Sequence, residues 1–192
     1  AKRNNIEIPF KNINEIKSAY KFSNLESFLN IFYQGSKVLV KEKDFFDLTW
    51  EYILKCKEDN IVHTEIFFDP QTHVDRGIDF DIVINGIYKA FTKANKDFGL
   101  TFKIIMCFLR HLDEASAFKM LERALIHKDK IIGVGLDSSE IGNPPKKFQK
   151  VFEKAIKNGF LTVAHAGEEG SPEYIWESLN LLKVKRIDHG VQ

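Results

Sequence analysis

His165 closes a short apolar run, Leu161-Thr162-Val163-Ala164, and Glu168 follows it after Ala166-Gly167. A second histidine, His189, ends the run Arg186-Ile187-Asp188 and is followed by Gly190. Imidazole gains and loses protons near neutral pH and is a ready metal ligand, and a nearby carboxyl group can carry a proton to or from a reactant. Two such histidines and one carboxylate make a candidate metal or acid/base centre. The C-terminal ends of strands in α/β proteins are where reactive side chains stand on a rigid frame.

Three further apolar runs end the same way. Asp69-Pro70-Gln71-Thr72-His73 follows Ile61–Phe68, Arg110-His111 follows Phe102–Leu109, and Asp137-Ser138-Ser139-Glu140 follows Ile131–Leu136. Unpaired buried charge is costly, so ionisable residues at the same end of every run imply a shared purpose. For the other histidines the residue contexts give plainer expectations. His63, inside a strand, reads as a satisfied core residue, and His127, at a helix end, as a solvent-facing one. His73 and His111 stand at the mouth, where they could shape a pocket.

The elements that must position these groups follow from spacing. Up to about residue 60 the chain reads as helical: Asn24 is a plausible N-cap, and Leu25, Phe28, Leu29 and Phe32 share one face. Phe45, Leu48, Tyr52 and Cys56 form another stripe, widened by Phe46, Trp50 and Ile53, as for a helix lying on a sheet. From residue 61 the runs Ile61–Phe68, Phe102–Leu109, Ile131–Leu136, Phe160–Ala164 and Val184–Asp188 alternate with helical stripes. Those stripes begin around Phe80, Phe118, Phe148 and the Ser171-Pro172-Glu173 opening. Strands and helices in alternation, with continuously apolar strands, predict a parallel sheet covered on both faces. Neither a phosphate-binding glycine loop nor a dinucleotide fingerprint follows the first strand, so a (β/α)8 TIM-type barrel is the better expectation than a Rossmann fold. Five strands are too few to close it. The chain begins at Ala1 and stops at Gln192 just past a strand, so 1–192 reads as a single incomplete barrel domain. It comprises N-terminal helices over 1–60 and βα units over 61–192, with the first and last strands missing.

Composition sets limits around this picture. The chain is 44% hydrophobic and 29% charged with a formal net charge of +1, which gives no reason to expect nucleic acid or an anionic membrane as partner. No apolar run approaches a membrane span, and no signal-peptide pattern is present. Cys56 and Cys107 fall in a helix-like and a strand-like segment, as buried free thiols of a reducing cytoplasm would.

Val163-Ala164-His165-Ala166-Gly167-Glu168 and Arg186-Ile187-Asp188-His189-Gly190 resemble two mid-chain motifs of the adenosine/adenine deaminases, zinc-dependent barrels of the amidohydrolase superfamily. The resemblance covers the whole chain. It is nearest to the bacterial and fungal adenine deaminases through Phe67-Phe68-Asp69-Pro70-Gln71-Thr72-His73 and Val134-Gly135-Leu136-Asp137-Ser138-Ser139-Glu140. It implies that His165 is a zinc ligand and that Glu168 carries a proton to purine N1. It also implies that His189 orients the water attacking C6, with Asp69, Asp137, Ser138, Ser139, Glu140 and Gly167 lining the substrate. The family's His-x-His pair would lie upstream of Ala1 and its final aspartates beyond Gln192, leaving His165 as the one zinc ligand here. Glu140, where adenosine deaminases place a glycine against the purine, suits a free base better than a nucleoside. The implied activity is zinc-dependent deamination of adenine to hypoxanthine in purine salvage, with a small-molecule purine base as partner. Adenosine deamination, N6-substituted adenines and a non-catalytic purine-binding barrel are the alternatives. A Schiff-base or phosphate-binding barrel enzyme lacks its lysine or glycine loop. Oligomeric state is not legible.

Overall fold

The computed structural model describes all of residues 1–192. After a short 3-10 turn, three helices occupy the first third: α1 (Ile13–Ala19), α2 (Leu25–Ser36) and α3 (Glu42–Glu58). Asn24 caps α2 as its type requires, accepting from the Ser27 amide while the Ser27 hydroxyl accepts from the Asn24 amide. The βα units then follow in order: β1 (His63–Phe68), α4 (Pro70–Val74), α5 (Phe80–Phe98), β2 (Thr101–Leu109), α6 (Glu114–Ile126) and β3 (Gly133–Asp137). A 3-10 turn at Pro145–Phe148 leads into α7 (Gln149–Lys157), β4 (Leu161–Ala166), α8 (Pro172–Asn180) and β5 (Arg186–His189). The five strands are all parallel and lie in sequence order, so every C-terminal strand end falls on the same rim.

Strand alternation sorts the side chains into two layers. Ile104, Met106, Phe108, Val134, Leu136 and Ala164 face the helices in one large core with Phe80, Ile84, Phe91, Leu121, Phe148 and Phe152. Ile105, Cys107 and Val163 face the other way with Phe67 and Ile132. That second face is concave. Arg186 on β5 places Nη1 2.5 Å from Glu65 Oε2 on β1, at the opposite edge of the sheet, while its Nε donates to Asp188 at 3.0 Å. An ion pair between the two outermost strands requires the sheet to curl, as the part-barrel expectation demands.

Several local expectations are corrected. Phe45, Ile53 and Cys56 of the α3 stripe are buried, but Leu48 and Tyr52 are largely exposed. They border an open apolar cavity of about 520 Å³ beside the outer edge of β1. His63 is exposed rather than core, because β1 is an edge strand; its Nδ1 lies 2.7 Å from the Thr101 hydroxyl. His127 is buried rather than solvent-facing, stacked on Phe80 with Nε2 2.8 Å from Asp81.

His73, on α4 at the rim, is buried edge-on against Phe45, with Arg76 Nη2 donating to its Nδ1 at 2.8 Å. Burial, helped by the Arg76 charge, pushes its pKa down to about 4. Between the ordinary value near 6.5 and this one the unfolded chain binds the extra proton, so stability falls as pH drops through that window. The depression corresponds to about 3 kcal/mol. Urea unfolding of the full-length protein between pH 7.5 and pH 4.5 is expected to show this loss. His73→Asn, which keeps an acceptor for Arg76 but cannot titrate, is expected to flatten the slope.

Candidate active site

The rim of the concave face gathers the strand-end residues. His165 on β4 and His189 on β5 are neighbours through the register that pairs His165 with Asp188 and Ala166 with His189. Their rings meet edge to face at 5.0 Å between centroids. Glu168 turns back to place Oε2 3.4 Å from His189 Nε2. Ligand-capable atoms of all three lie within 4.8 Å of one another. His165 Nε2 is buried with no hydrogen-bond partner in the protein, and its ring is braced edge-on by Phe67. Burial, then the His189 charge, pushes the His165 pKa down to about 4, which keeps the imidazole neutral, the form that binds a metal. An orphaned neutral nitrogen aimed among a carboxylate and a second imidazole fits a metal ion.

Burial pushes the Glu168 carboxyl up; the neighbouring His189 pulls it back, and Glu140 and Glu169 push it further up. A carboxyl raised in this way is better placed to hold a proton near neutrality. Beside it stand Asp69, at the end of β1, and Asp137, at the end of β3, with Cys107 behind them; their acceptor atoms also fall within 4.8 Å. Burial raises both carboxyls, and the neighbouring Asp69 charge raises Asp137 further. Two carboxylates this close disfavour each other's ionisation, and Asp137 is the one held furthest above the usual carboxylate range.

Ser138 adopts a left-handed backbone, φ 75°, which turns its hydroxyl into the mouth. There it lies 2.8 Å from the Tyr33 hydroxyl and 2.9 Å from His111 Nδ1. Tyr33 belongs to α2, whose Leu25, Phe28, Leu29 and Phe32 roof a cavity of about 260 Å³. Asp69, Asp137, Ser138, His165, Glu168 and His189 form its floor. Glu169 fixes the roof by accepting from the Leu25 amide, at the N-terminus of α2, at 2.9 Å. This apolar α2 face was visible in the sequence, but its spacing said only that it would be covered, not by what. Tyr33 carried no signal beyond an aromatic hydroxyl beside that face.

Three residues expected at the substrate do not line this cavity. Ser139 lies off the cavity and gives its carbonyl to Asn143. Glu140 is 1% exposed. Its Oε1 accepts from the Gly167 amide at 2.7 Å, and its Oε2 from the amides of Glu168, Glu169 and Gly170 at 2.8–2.9 Å. Gly167 contributes backbone: at φ 70° a Cβ would come within 2.6 Å of Ile175. Arg110, wholly buried, underlies both loops. It donates to the His165 carbonyl at 2.8 Å and to that of Asn143 at 3.0 Å, with Nη1 3.9 Å from Glu140 Oε1.

The model of the family described as adenosine deaminase matches residues 1–192. An adenine deaminase from Acinetobacter baylyi is 62% identical over 192 residues, covering all of this chain and 58% of the relative. The crystal structure of an adenine deaminase from Arthrobacter aurescens superimposes with a TM-score of 0.96 at 42% identity, covering the whole chain and 58% of that structure. An amidohydrolase from Burkholderia ambifaria, solved with bound Zn, gives a TM-score of 0.88 at 27% identity over 99% of this chain and 53% of its own. The chain therefore spans a little over half the length of these proteins.

Proposed function

The chain belongs to the adenosine deaminase family, and on that premise we propose that it is the central part of a zinc-dependent adenine deaminase. The full-length protein would convert adenine and water to hypoxanthine and ammonia, in purine salvage and in the cytoplasm. The observation that carries the reading is the floor of the α2-roofed cavity, where the unpartnered His165 Nε2 stands beside the Glu168–His189 pair. His165 would hold the metal together with donors from the rest of the protein. Zinc bound there supplies Lewis acidity, which makes water a nucleophile at neutral pH.

The chain's own residues supply the remaining steps. Glu168, its proton affinity raised by burial, delivers a proton to ring N1 as water attacks C6. C6 becomes tetrahedral; of the two protons the water gives up, one restores Glu168 and the other passes to the amino group, and the C6–N bond breaks to release ammonia. His189, in contact with Glu168, orients the attacking water and stabilises the charge that develops on it. Asp69, Asp137 and Ser138 border the same space and orient the base, and Gly167 lets the backbone turn beside it. The buried free thiols Cys56 and Cys107 suit a reducing compartment.

Base is favoured over nucleoside by the relatives: the Acinetobacter baylyi protein, 62% identical, and the Arthrobacter aurescens protein, 42% identical, are both adenine deaminases. The test is turnover by the full-length protein, followed by hypoxanthine and ammonia release. Adenine is expected to exceed adenosine in kcat/KM by at least about tenfold. Chelation of stoichiometric zinc should abolish the activity. Equal turnover of the two substrates would overturn the base preference, and activity in the metal-free protein would overturn the zinc assignment.

A further inference from the structure

We propose that Glu140 is a positioning residue for the catalytic loop: its carboxylate, held over buried Arg110, gathers the amides of residues 167–170 and so sets where Glu168 stands. This rests on the proposed deaminase reading for its kinetic consequence, though not for its structural one. Four successive amides converge on one carboxylate, a concave arrangement that recognises an anion and fixes the loop's path. Gly170 is shaped to it, because a Cβ there would come within 2.9 Å of Glu140 Oε1 and 2.7 Å of Tyr174. The carboxylate is charged in this setting: burial pushes it up, but the amides of Gly170, Glu169 and Gly167, with Arg110, win and hold it below its usual range.

The clamp joins the β3 loop to the β4 loop at the one place where Glu168 leaves the backbone. Arg110 ties the same assembly to the His165 carbonyl, so His165 and Glu168 are referred to a single buried ion pair. A carboxamide at position 140 cannot reproduce the contact with the amides. With N–H groups facing both oxygens, either orientation of Gln sets its NH₂ against at least one amide donor. Asp keeps the charge but withdraws it by a methylene.

The test uses the full-length enzyme with Glu140→Gln and Glu140→Asp. Expected are a fall in kcat of roughly 10–100-fold with KM changed by less than about threefold, as for a misplaced group rather than a lost binding contact. Zinc content is expected to match the wild type. Amide hydrogen exchange should accelerate by about tenfold or more at 167–170 and stay near wild type in β2 and β3. Near-wild-type kcat in both variants, or exchange that rises equally throughout the barrel, would overturn the proposal. If Glu140→Gln does not fold, Glu140→Asp decides by the same criteria. A wild-type enzyme that fails to turn over adenine defeats the functional reading instead, and the exchange pattern then judges the clamp alone.

Discussion

Glu168→Gln in the full-length enzyme is expected to lower adenine turnover by ~10²–10⁴-fold while leaving zinc in place. The substitution keeps the shape of the side chain and its reach toward His189 but removes the transferable proton. The Glu168 amide bond to Glu140 is made by backbone and survives, so the loop should hold its path and thermal stability should change little. His165→Ala is expected to lose metal and activity together, because its orphaned nitrogen is the atom proposed to face the metal. His189→Ala should keep most of the metal and slow the chemical step. A Glu168 that served only the fold would instead show near-normal turnover in the glutamine variant. Zinc stoichiometry and turnover on the three proteins separate these cases, and near-normal adenine turnover by Glu168→Gln would remove the acid assignment.

The second large effect falls on stability. Arg110→Met should cost about 3–5 kcal/mol, the loss typical of removing one partner from a buried charge pair. The guanidinium is wholly buried, donates to the carbonyls of His165 and Asn143, and lies over the Tyr174 ring at 5.6 Å. Methionine fills comparable space but leaves two carbonyls without donors and the Glu140 carboxylate without its cation. The measurement is equilibrium urea unfolding of the full-length protein at neutral pH. A change below about 1 kcal/mol would mean that the carboxylate is balanced by the four amides alone.

Much of this architecture is legible in the sequence because it rests on periodicity. Continuous apolar runs and helical stripes place each strand and each crossover helix within a few residues, and a run that ends in His165 or His189 announces a reactive rim by residue type. What periodicity lacks is the partner. The α2 stripe reads as one more face to be buried, and nothing in Leu25, Phe28 or Leu29 says that it crosses the open end of the sheet. Glu140 reads as a carboxylate at a strand end; whether its lone pairs face a substrate or backbone amides depends on the path of a loop 27 residues further on. His63 and His127 exchange their expected environments for the same reason, since edge position and helix-to-helix packing decide burial. The lower end of the concave face is equally hidden, because Glu65 and Arg186 look like ordinary surface charges until the sheet curls.

That last contact bears on the order in which the chain can take shape. Glu65 and Arg186 are 121 residues apart, and the Leu25 amide meets Glu169 across 144. Neither tie can form until β5 and the β4 loop have emerged, so a nascent chain makes its early βα units without a floor or a roof. Long closures of this kind form late and slow the search for the native state. These two ties close only once the β4 loop and β5 have been made, and until then the concave apolar residues Phe67, Ile105 and Val163 stay open to solvent and to other chains.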